Sequence, residues 1–367
     1  METGDGWLLR IRVPGGAVTP SVLCIVAEVA AECGSGIIDV TSRANLQIRG
    51  VSADRVDAAA RAIVGARLAL DNARSDALRA VVASPLAGHD PRAQARHDVA
   101  MVVEAIVSRL TSMIVGAVPS KFGVVVDDRG AWSLEGIDAD VRLLAHGEGW
   151  SVILRGADEP IGWTSEPVEA VATATQLCVD HERRMDGVIA AVGRQALPAL
   201  LGLQPVPDRS STSRPRPHPS RGRILGVFGH IDLERCNVIA APFLGRVAAD
   251  ELTEISNLAA RHGADIRLST DHSFAFCRVT KADAPKLVGS LKALGLAADP
   301  GDGGASVSAC VGSRGCASAS ADTWLAASRI AAAEPAPGRI HLSACAKSCG
   351  APTGVQHLVA DDTGVFR

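Results

Sequence analysis

The 367-residue chain reads as an α+β protein built on a repeated half-unit, with a cysteine-bearing segment near its C-terminal end. Three observations carry this reading. Apolar residues alternate between a two-residue and a 3.6-residue period in the order strand, helix, strand, strand, helix. The same order returns 229 residues later. Four cysteines fall in two pairs, Cys310 with Cys316 and Cys345 with Cys349, spaced C-x5-C and C-x3-C. With 47% apolar and 21% charged residues, the composition is that of a soluble globular enzyme of two or three domains. A net charge of -3 gives no general attraction to nucleic acid, so an anionic ligand must be held by local arginines and lysines.

The first element is an alternating strand, Leu8 to Val13, ended by Pro14-Gly15-Gly16. Thr19 and Pro20 supply an N-cap and a first-turn proline for a helix running to Cys33, with Gly34 as its stop. Ile37 to Thr41 and Leu46 to Val51 are strands joined at Ser42-Arg43-Ala44-Asn45, and Ser52 caps a second helix through Leu68. Sliding the chain by 229 residues lays Gly16 on Gly245, Leu23 on Leu252 and Ala30-Ala31 on Ala259-Ala260. The same ungapped register puts Ile37 on Ile266, Thr41 on Thr270, Arg43 on His272 and Arg49 on Arg278.

Between the copies, helices are expected over Gln94 to Ser112 and Val168 to Glu182, and a buried strand over Phe122 to Val126. Residues 205–224 are rich in Pro, Ser and Arg and read as an exposed linker. After the second copy, Ser320 to Ala333 is helical in pattern, ended by Pro335 and Pro337, and Arg339 to Ser343 is a strand delivering Cys345. The N-terminus shows no basic region followed by an apolar stretch, and no run of 18 apolar residues exists. The expectation is a reduced, cytoplasmic protein without a membrane span.

Four thiolates match the need of one 4Fe–4S cluster. Small residues around them (Val311-Gly312-Ser313-Arg314-Gly315 and Ala346-Lys347-Ser348) let the backbone approach an inorganic core. Structural zinc uses tighter knuckles, and the five-residue gap argues against it. Four unrelated buried thiols are the plain alternative. The other five, Cys24, Cys33, Cys178, Cys236 and Cys277, sit in apolar patterned segments as core thiols.

The two cysteine pairs, the duplicated half-unit, the hairpin Thr41-Ser42-Arg43-Ala44-Asn45-Leu46-Gln47-Ile48-Arg49-Gly50 and Pro119-Ser120-Lys121-Phe122 together resemble the sirohaem nitrite/sulfite reductase superfamily. The resemblance covers nearly the whole chain. It implies two ferredoxin-like half-domains forming one domain, over 1–75 and 225–299, with two further α/β domains, over 76–204 and 300–367. It further implies a 4Fe–4S cluster on Cys310, Cys316, Cys345 and Cys349.

Within the superfamily, Ala83-Ser84-Pro85-Leu86-Ala87-Gly88 and His341-Leu342-Ser343-Ala344-Cys345-Ala346-Lys347-Ser348-Cys349 look like the cobalamin branch, the precorrin-3B synthase family. The reductases carry an acidic residue where this chain has Gln356. Ala344 replaces the glycine usual before the third cysteine, which would crowd the cluster, and His272 stands where an arginine is common. That branch implies oxygen-dependent monooxygenation of precorrin-3A at C20 with γ-lactone formation, in aerobic cobalamin biosynthesis. The alternatives are a sirohaem-dependent nitrite or sulfite reductase and a non-catalytic tetrapyrrole-binding protein.

A polycarboxylate tetrapyrrole needs a basic cradle. Arg43, Asn45, Gln47 and Arg49 share one strand face by the two-residue period, and arginine forks suit carboxylates. An ordinary solvent-facing strand shows the same alternation with Leu46 and Ile48. Lys121 and Lys347 are further substrate candidates, and Lys347 alternatively tunes a cluster potential by its charge. The resemblance also implies a further non-haem iron, and NADH as ultimate reductant through an electron-donor protein. None of the ten histidines makes an H-E-x-x-H or facial-triad spacing, so ligands for that iron and catalytic residues are unassigned.

Overall fold

The computed structural model describes residues 1–95, 98–114, 116–207, 223–333, 339–352 and 354–367. Most of the expected linker, 208–222, and the prolines Pro335 and Pro337 lie outside the described residues. The chain divides into two compact units: Met1–Ile11, Ala17–Leu68 and His218–Arg367 in one, Arg12–Gly16 and Ala69–Pro217 in the other. Among the described residues no helix is long and apolar enough to cross a membrane.

The first unit opens with β1 (Glu2–Thr3), β2 (Gly6–Ile11), β3 (Ala17–Val18), α1 (Pro20–Cys33), β4 (Ile37–Val40), β5 (Leu46–Val51) and α2 (Val56–Gly65). The Thr19 hydroxyl accepts from the Val22 amide at 3.3 Å, so the N-cap expected from sequence forms. Ser52 does not cap α2; it belongs to a turn, and the helix begins four residues later with Arg55 at the cap position. Gly34 ends α1 in extended conformation, not left-handed. Its requirement is steric, since a Cβ there would lie 2.6 Å from the Arg49 carbonyl oxygen.

The second unit carries α3 (Ala73–Ala77), β6 (Val81–Ala83), α4 (Val99–Met113), β7 (Val124–Asp127), β8 (Val141–His146), β9 (Gly149–Leu154), β10 (Gly162–Thr164), α5 (Pro167–Asp180), α6 (Met185–Val192) and α7 (Leu197–Leu200). Helix α4 starts at an Asp98 cap, five residues later than its apolar pattern suggested. The strands form one mixed sheet in the order β10-β9-β8-β7-β6, parallel across β6, β7 and β8 and antiparallel beyond. Ile106 and Leu110 of α4 and Val171, Ala174 and Cys178 of α5 pack into one core with Trp150 and Val152 of the sheet. Burying each large side chain fully contributes about 1.5–3 kcal/mol. The fully buried Asp140 accepts from the Met185 amide (3.0 Å) and pairs with Arg184 (2.8 Å), pinning the start of α6.

Back in the first unit, the second copy comprises β11 (Gly226–Gly229), β12 (Arg235–Ala240), β13 (Arg246–Ala248), α8 (Ala249–Arg261), β14 (Asp265–Leu268), β15 (Phe274–Thr280) and α9 (Ala284–Ala293). The two copies exchange strands. Their sheets run β1-β2-β5-β4-β13 and β11-β12-β15-β14-β3, so each short strand after the one-turn helix completes the sheet of the other copy. The duplication thus holds, but its register is not ungapped. Pro14–Gly16 and Phe243–Gly245 do match at a shift of 229, as do Ala30 and Ala259, both fully buried. The second copy is then one residue shorter on the way into β14, and the hairpins match at 228.

Four features fix that shift. Ile38 pairs with Ile48 as Ile266 pairs with Phe276. Thr41 N donates to Asn45 O as Ser269 N donates to Ser273 O, both at 2.9 Å. Ala44 and His272 share a left-handed φ (53° and 59°), and so do Gly50 and Arg278 (both 65°). Asp271, not His272, therefore stands where Arg43 does; Cys277, not Arg278, stands where Arg49 does; and Arg267 stands where Asp39 does.

The unit ends with β16 (Val307–Ala309), α10 (Thr323–Ala332), β17 (Ile340–Ser343) and β18 (Gln356–Val359), a parallel sheet in that strand order. Leu244, Val307, Ala327 and Leu342 form its core with Phe243, Trp324 and Ile330 around them.

The two glycines at helix ends make opposite predictions. Gly34→Ala should destabilise the chain by about 1–3 kcal/mol, because backbone must shift to admit the Cβ. Gly65→Ala, where nothing lies within 4 Å, should stabilise it by about 0.5 kcal/mol. Urea denaturation of the two variants beside the parent checks both signs.

Candidate metal centre

Both cysteine pairs leave the C-terminal ends of adjacent parallel strands. Cys310 follows β16 directly and its amide donates to Leu342 O (2.9 Å), while Cys345 lies two residues past β17. The Ala344 amide donates to Cys310 Sγ at 3.2 Å, tying the first cysteine to the strand that delivers the third. The Thr323 hydroxyl donates to Cys310 O (2.8 Å), and both the amide (3.0 Å) and hydroxyl (2.8 Å) of Ser320 donate to Ala344 O. Lys347 Nζ donates to Ser318 Oγ (3.3 Å), joining the two loops again. Ala344 is fully buried beside Ala321, Ala360 and Cys310. None of the four is joined in a disulfide; Cys349 is exposed and the others are half-buried.

A soft donor set of four thiols on two small-residue loops at one sheet edge fits an iron–sulfur cluster. The side chains are placed at that edge without closing on one point: among the described residues no three His, Cys, Asp or Glu side chains come together as a metal ion needs.

What holds the first loop in place is Arg49, 6% exposed. Its Nε and Nη2 fork onto Asp5 (2.9 and 3.0 Å), Nη1 reaches Asp39 (3.1 Å), and Nη2 also donates to Gly315 O (3.3 Å). Burial acts to lower its pKa, but the Asp39 charge and the fork on Asp5 outweigh that and raise it. The Gly4 amide donates to the same Gly315 carbonyl (3.2 Å), and a Cβ on Gly315 would strike Arg49 Nη2 at 2.4 Å. Asp39 is shared with Arg246 (3.2 Å), which arrives on the exchanged strand β13. Arg246 lies over Trp324 at 5.7 Å and Arg314 lies against the same ring at 5.4 Å. Burial lowers the Arg246 pKa, partly offset by Asp39.

The residues expected to form the cradle thus separate. Arg49 is committed to two carboxylates and the cysteine loop. Arg43, Asn45 and Gln47 are half-buried on the same hairpin, and the Gln47 amide, oriented with its oxygen toward Arg10, accepts from Arg10 Nε (3.0 Å) and Nη2 (3.1 Å). Lys347 is exposed within the second cysteine loop. Lys121 belongs to the second unit, exposed, with a left-handed φ of 66° ahead of the buried Phe122. Asp5, Asp39, Arg246 and Trp324 escaped the sequence reading. Asp39 sits two residues before Thr41 on an apolar strand, which was its only signal.

On the β17 side, His341 Nδ1 lies 3.0 Å from Ser308 Oγ and His357 Nε2 lies 2.8 Å from Ser343 Oγ. Burial, then the neighbouring His357, pushes the His341 pKa down to about 4.

This architecture of paired half-units and a terminal cysteine domain defines an oxidoreductase of the nitrite/sulfite reductase type. A family model described as the nitrite/sulfite reductase ferredoxin-like half domain matches residues 1–66 and 233–294, ending each time with the second helix of a copy. The chain is 30% identical to a precorrin-3B synthase of Sinorhizobium sp, over 96% of this chain and 76% of that relative. It is 24% identical to a sulfite reductase (ferredoxin) of Mycobacterium tuberculosis, over 88% of this chain and 62% of that one. The solved structure of the Mycobacterium tuberculosis NirA protein superposes with a TM-score of 0.76 at 22% identity, covering 94% of this chain and 69% of that one. The chain belongs to the precorrin-3B synthase family of the nitrite/sulfite reductase superfamily.

Two outcomes test the site. Arg49→Gln leaves the half-buried Asp5 without its fork and Asp39 with Arg246 alone, and should cost about 2–3 kcal/mol, with faster limited proteolysis around Gly315. Because the His341 pKa is below that of an unfolded histidine, the unfolded chain takes up the proton first as pH falls. Its neutral burial therefore costs nothing above about pH 6.5 and removes up to roughly 3 kcal/mol of stability by about pH 4. His341→Gln should flatten that slope in urea titrations of the cluster-free chain.

Proposed function

We propose that the chain is a precorrin-3B synthase, inserting one oxygen atom of dioxygen at C20 of precorrin-3A and closing a γ-lactone, within aerobic cobalamin biosynthesis. The observation that carries this reading is the 30% identity to a precorrin-3B synthase over almost the whole chain, against 24% to the sulfite reductase. Gln356, where the reductases are expected to be acidic, supports the same branch; it opens β18 and is exposed. In the balanced reaction the second oxygen atom leaves as water, and NADH supplies the two electrons through a separate electron-donor protein.

Cys310, Cys316, Cys345 and Cys349 would hold a 4Fe–4S cluster, which would supply single electrons when bound. The chain's own residues do the rest. Arg49 and Arg246 set the first cysteine loop against the hairpin through Asp5 and Asp39. Arg43, Asn45, Gln47 and Lys347 are the groups of the first unit proposed to meet the substrate carboxylates, and Lys121 is a separate candidate carried by the second unit. Arg49 moves from that set to a positioning role, since four of its five N–H donors are given to Asp5, Asp39 and Gly315.

Anaerobically reconstituted protein tests the reading. Oxygen-dependent conversion of precorrin-3A to a product heavier by one oxygen atom is expected, and Cys310→Ser or Cys345→Ser should abolish both the cluster's visible absorption and turnover. Sirohaem absorption with nitrite- or sulfite-dependent dye oxidation would overturn it in favour of a reductase, and an intact cluster with neither activity would favour a non-catalytic tetrapyrrole-binding protein.

A further inference from the structure

Charge does not balance at the second hairpin. Arg223 is 3% exposed, and its Nε, Nη1 and Nη2 have no hydrogen-bond partner among the described residues. The groups around it are the Asp271 carboxylate, the Arg339 guanidinium and the His272 ring. Arg339, 7% exposed, donates from Nη2 to Asp271 Oδ1 at 2.6 Å. His272 Nδ1 is 2.7 Å from the Val40 carbonyl, and burial together with the Arg223 charge holds the ring toward neutral. Among the described residues two guanidinium groups thus face one carboxylate, leaving one positive charge uncompensated.

The other strongly buried arginines of this unit are not left so. Arg49 has Asp5 and Asp39, Arg246 has Asp39, and Arg339 has Asp271. A guanidinium taken out of water with five empty donors is among the most destabilising arrangements a fold can hold. We propose that Arg223 and Arg339 form a buried anion site that takes one carboxylate group of a ligand.

Three arguments choose a carboxylate. A single negative charge brings the cluster to neutrality, whereas a phosphate dianion would overshoot it. The free Arg223 fork matches two oxygens of one planar group. Both arginines are nearly enclosed while the Asp271 side chain keeps 17% exposure, so solvent meets the group at Asp271 and a small acid or the end of an acidic arm is favoured over a bulky anion. The first hairpin differs, because the one-residue shift puts Asp271 where the other copy has Arg43. The site is independent of the reaction proposed above.

The test uses the full chain, its Arg223→Gln variant and its Asp271→Asn variant, in thermal unfolding at constant ionic strength. The probes are acetate, coproporphyrin and inorganic phosphate. Acetate or coproporphyrin should raise the melting temperature of the parent, with phosphate weaker. A response to acetate identifies a site open to free acids, and a response to coproporphyrin alone identifies a site for one arm of a larger polyacid. Arg223→Gln should weaken that binding at least about tenfold, the loss expected for one charge-assisted pair. Without probe it should melt higher than the parent, since an uncompensated buried charge is gone. Asp271→Asn should melt lower without probe and bind acetate or coproporphyrin more tightly. Equal responses in parent and Arg223→Gln, or a lower melting temperature for Arg223→Gln without probe, would overturn the proposal.

Discussion

The cysteine end of this protein depends on one buried guanidinium. Arg49 spends its donors on Asp5 from the opening hairpin, Asp39 from the neighbouring strand and the carbonyl of Gly315 inside the C-x5-C loop. A single side chain therefore ties three stretches that are far apart in sequence. Lysine has no planar fork with which to do this, and a larger residue at 315 would collide with it. Asp39 extends the tie to Arg246, and Arg246 to the Trp324 face, so α10 is drawn into the same network. The small residues of the loop, read from sequence as space for a metal core, serve this approach of backbone to arginine as well.

Local chemistry was readable in the sequence where one residue dictates one geometry. The Thr19-Pro20 start of α1 formed as expected, as did the strand ending at Ser343, and the repeat was visible from its buried periodic positions. What was not readable depends on partners far along the chain. Ser52 looked like a cap but the backbone turns before the helix begins. Arg49 looked like a ligand-binding residue on a polar strand face, because alternation says which side a group occupies and nothing about what waits there. The register of the repeat failed for a related reason: a one-residue difference after α8 preserves the apolar pattern within each element while moving every hairpin residue by one place.

That one place has chemical consequences. The two hairpins differ in charge at matched positions, with Arg43 against Asp271 and Asp39 against Arg267. The first copy gathers acids and arginines that satisfy one another around the cysteine loop, and the second gathers arginines in excess around Asp271. Hairpins of matching register thus carry opposite charges at these two positions.

The exchanged strands give this asymmetry a history. Since β3 completes the sheet of the second copy and β13 that of the first, neither copy closes its own sheet. An unfused half-unit would have been an obligate pair, with two equal positions for any ligand on its hairpins. Fusion removed the requirement that both positions stay alike. Arg246, carried into the first sheet on a strand from the second copy, has Ala17 as its counterpart, so the cation is supplied in one direction only. One gene fusion could in this way turn a symmetric receptor into a polar one, with a metal-bearing side and a side released to bind something else.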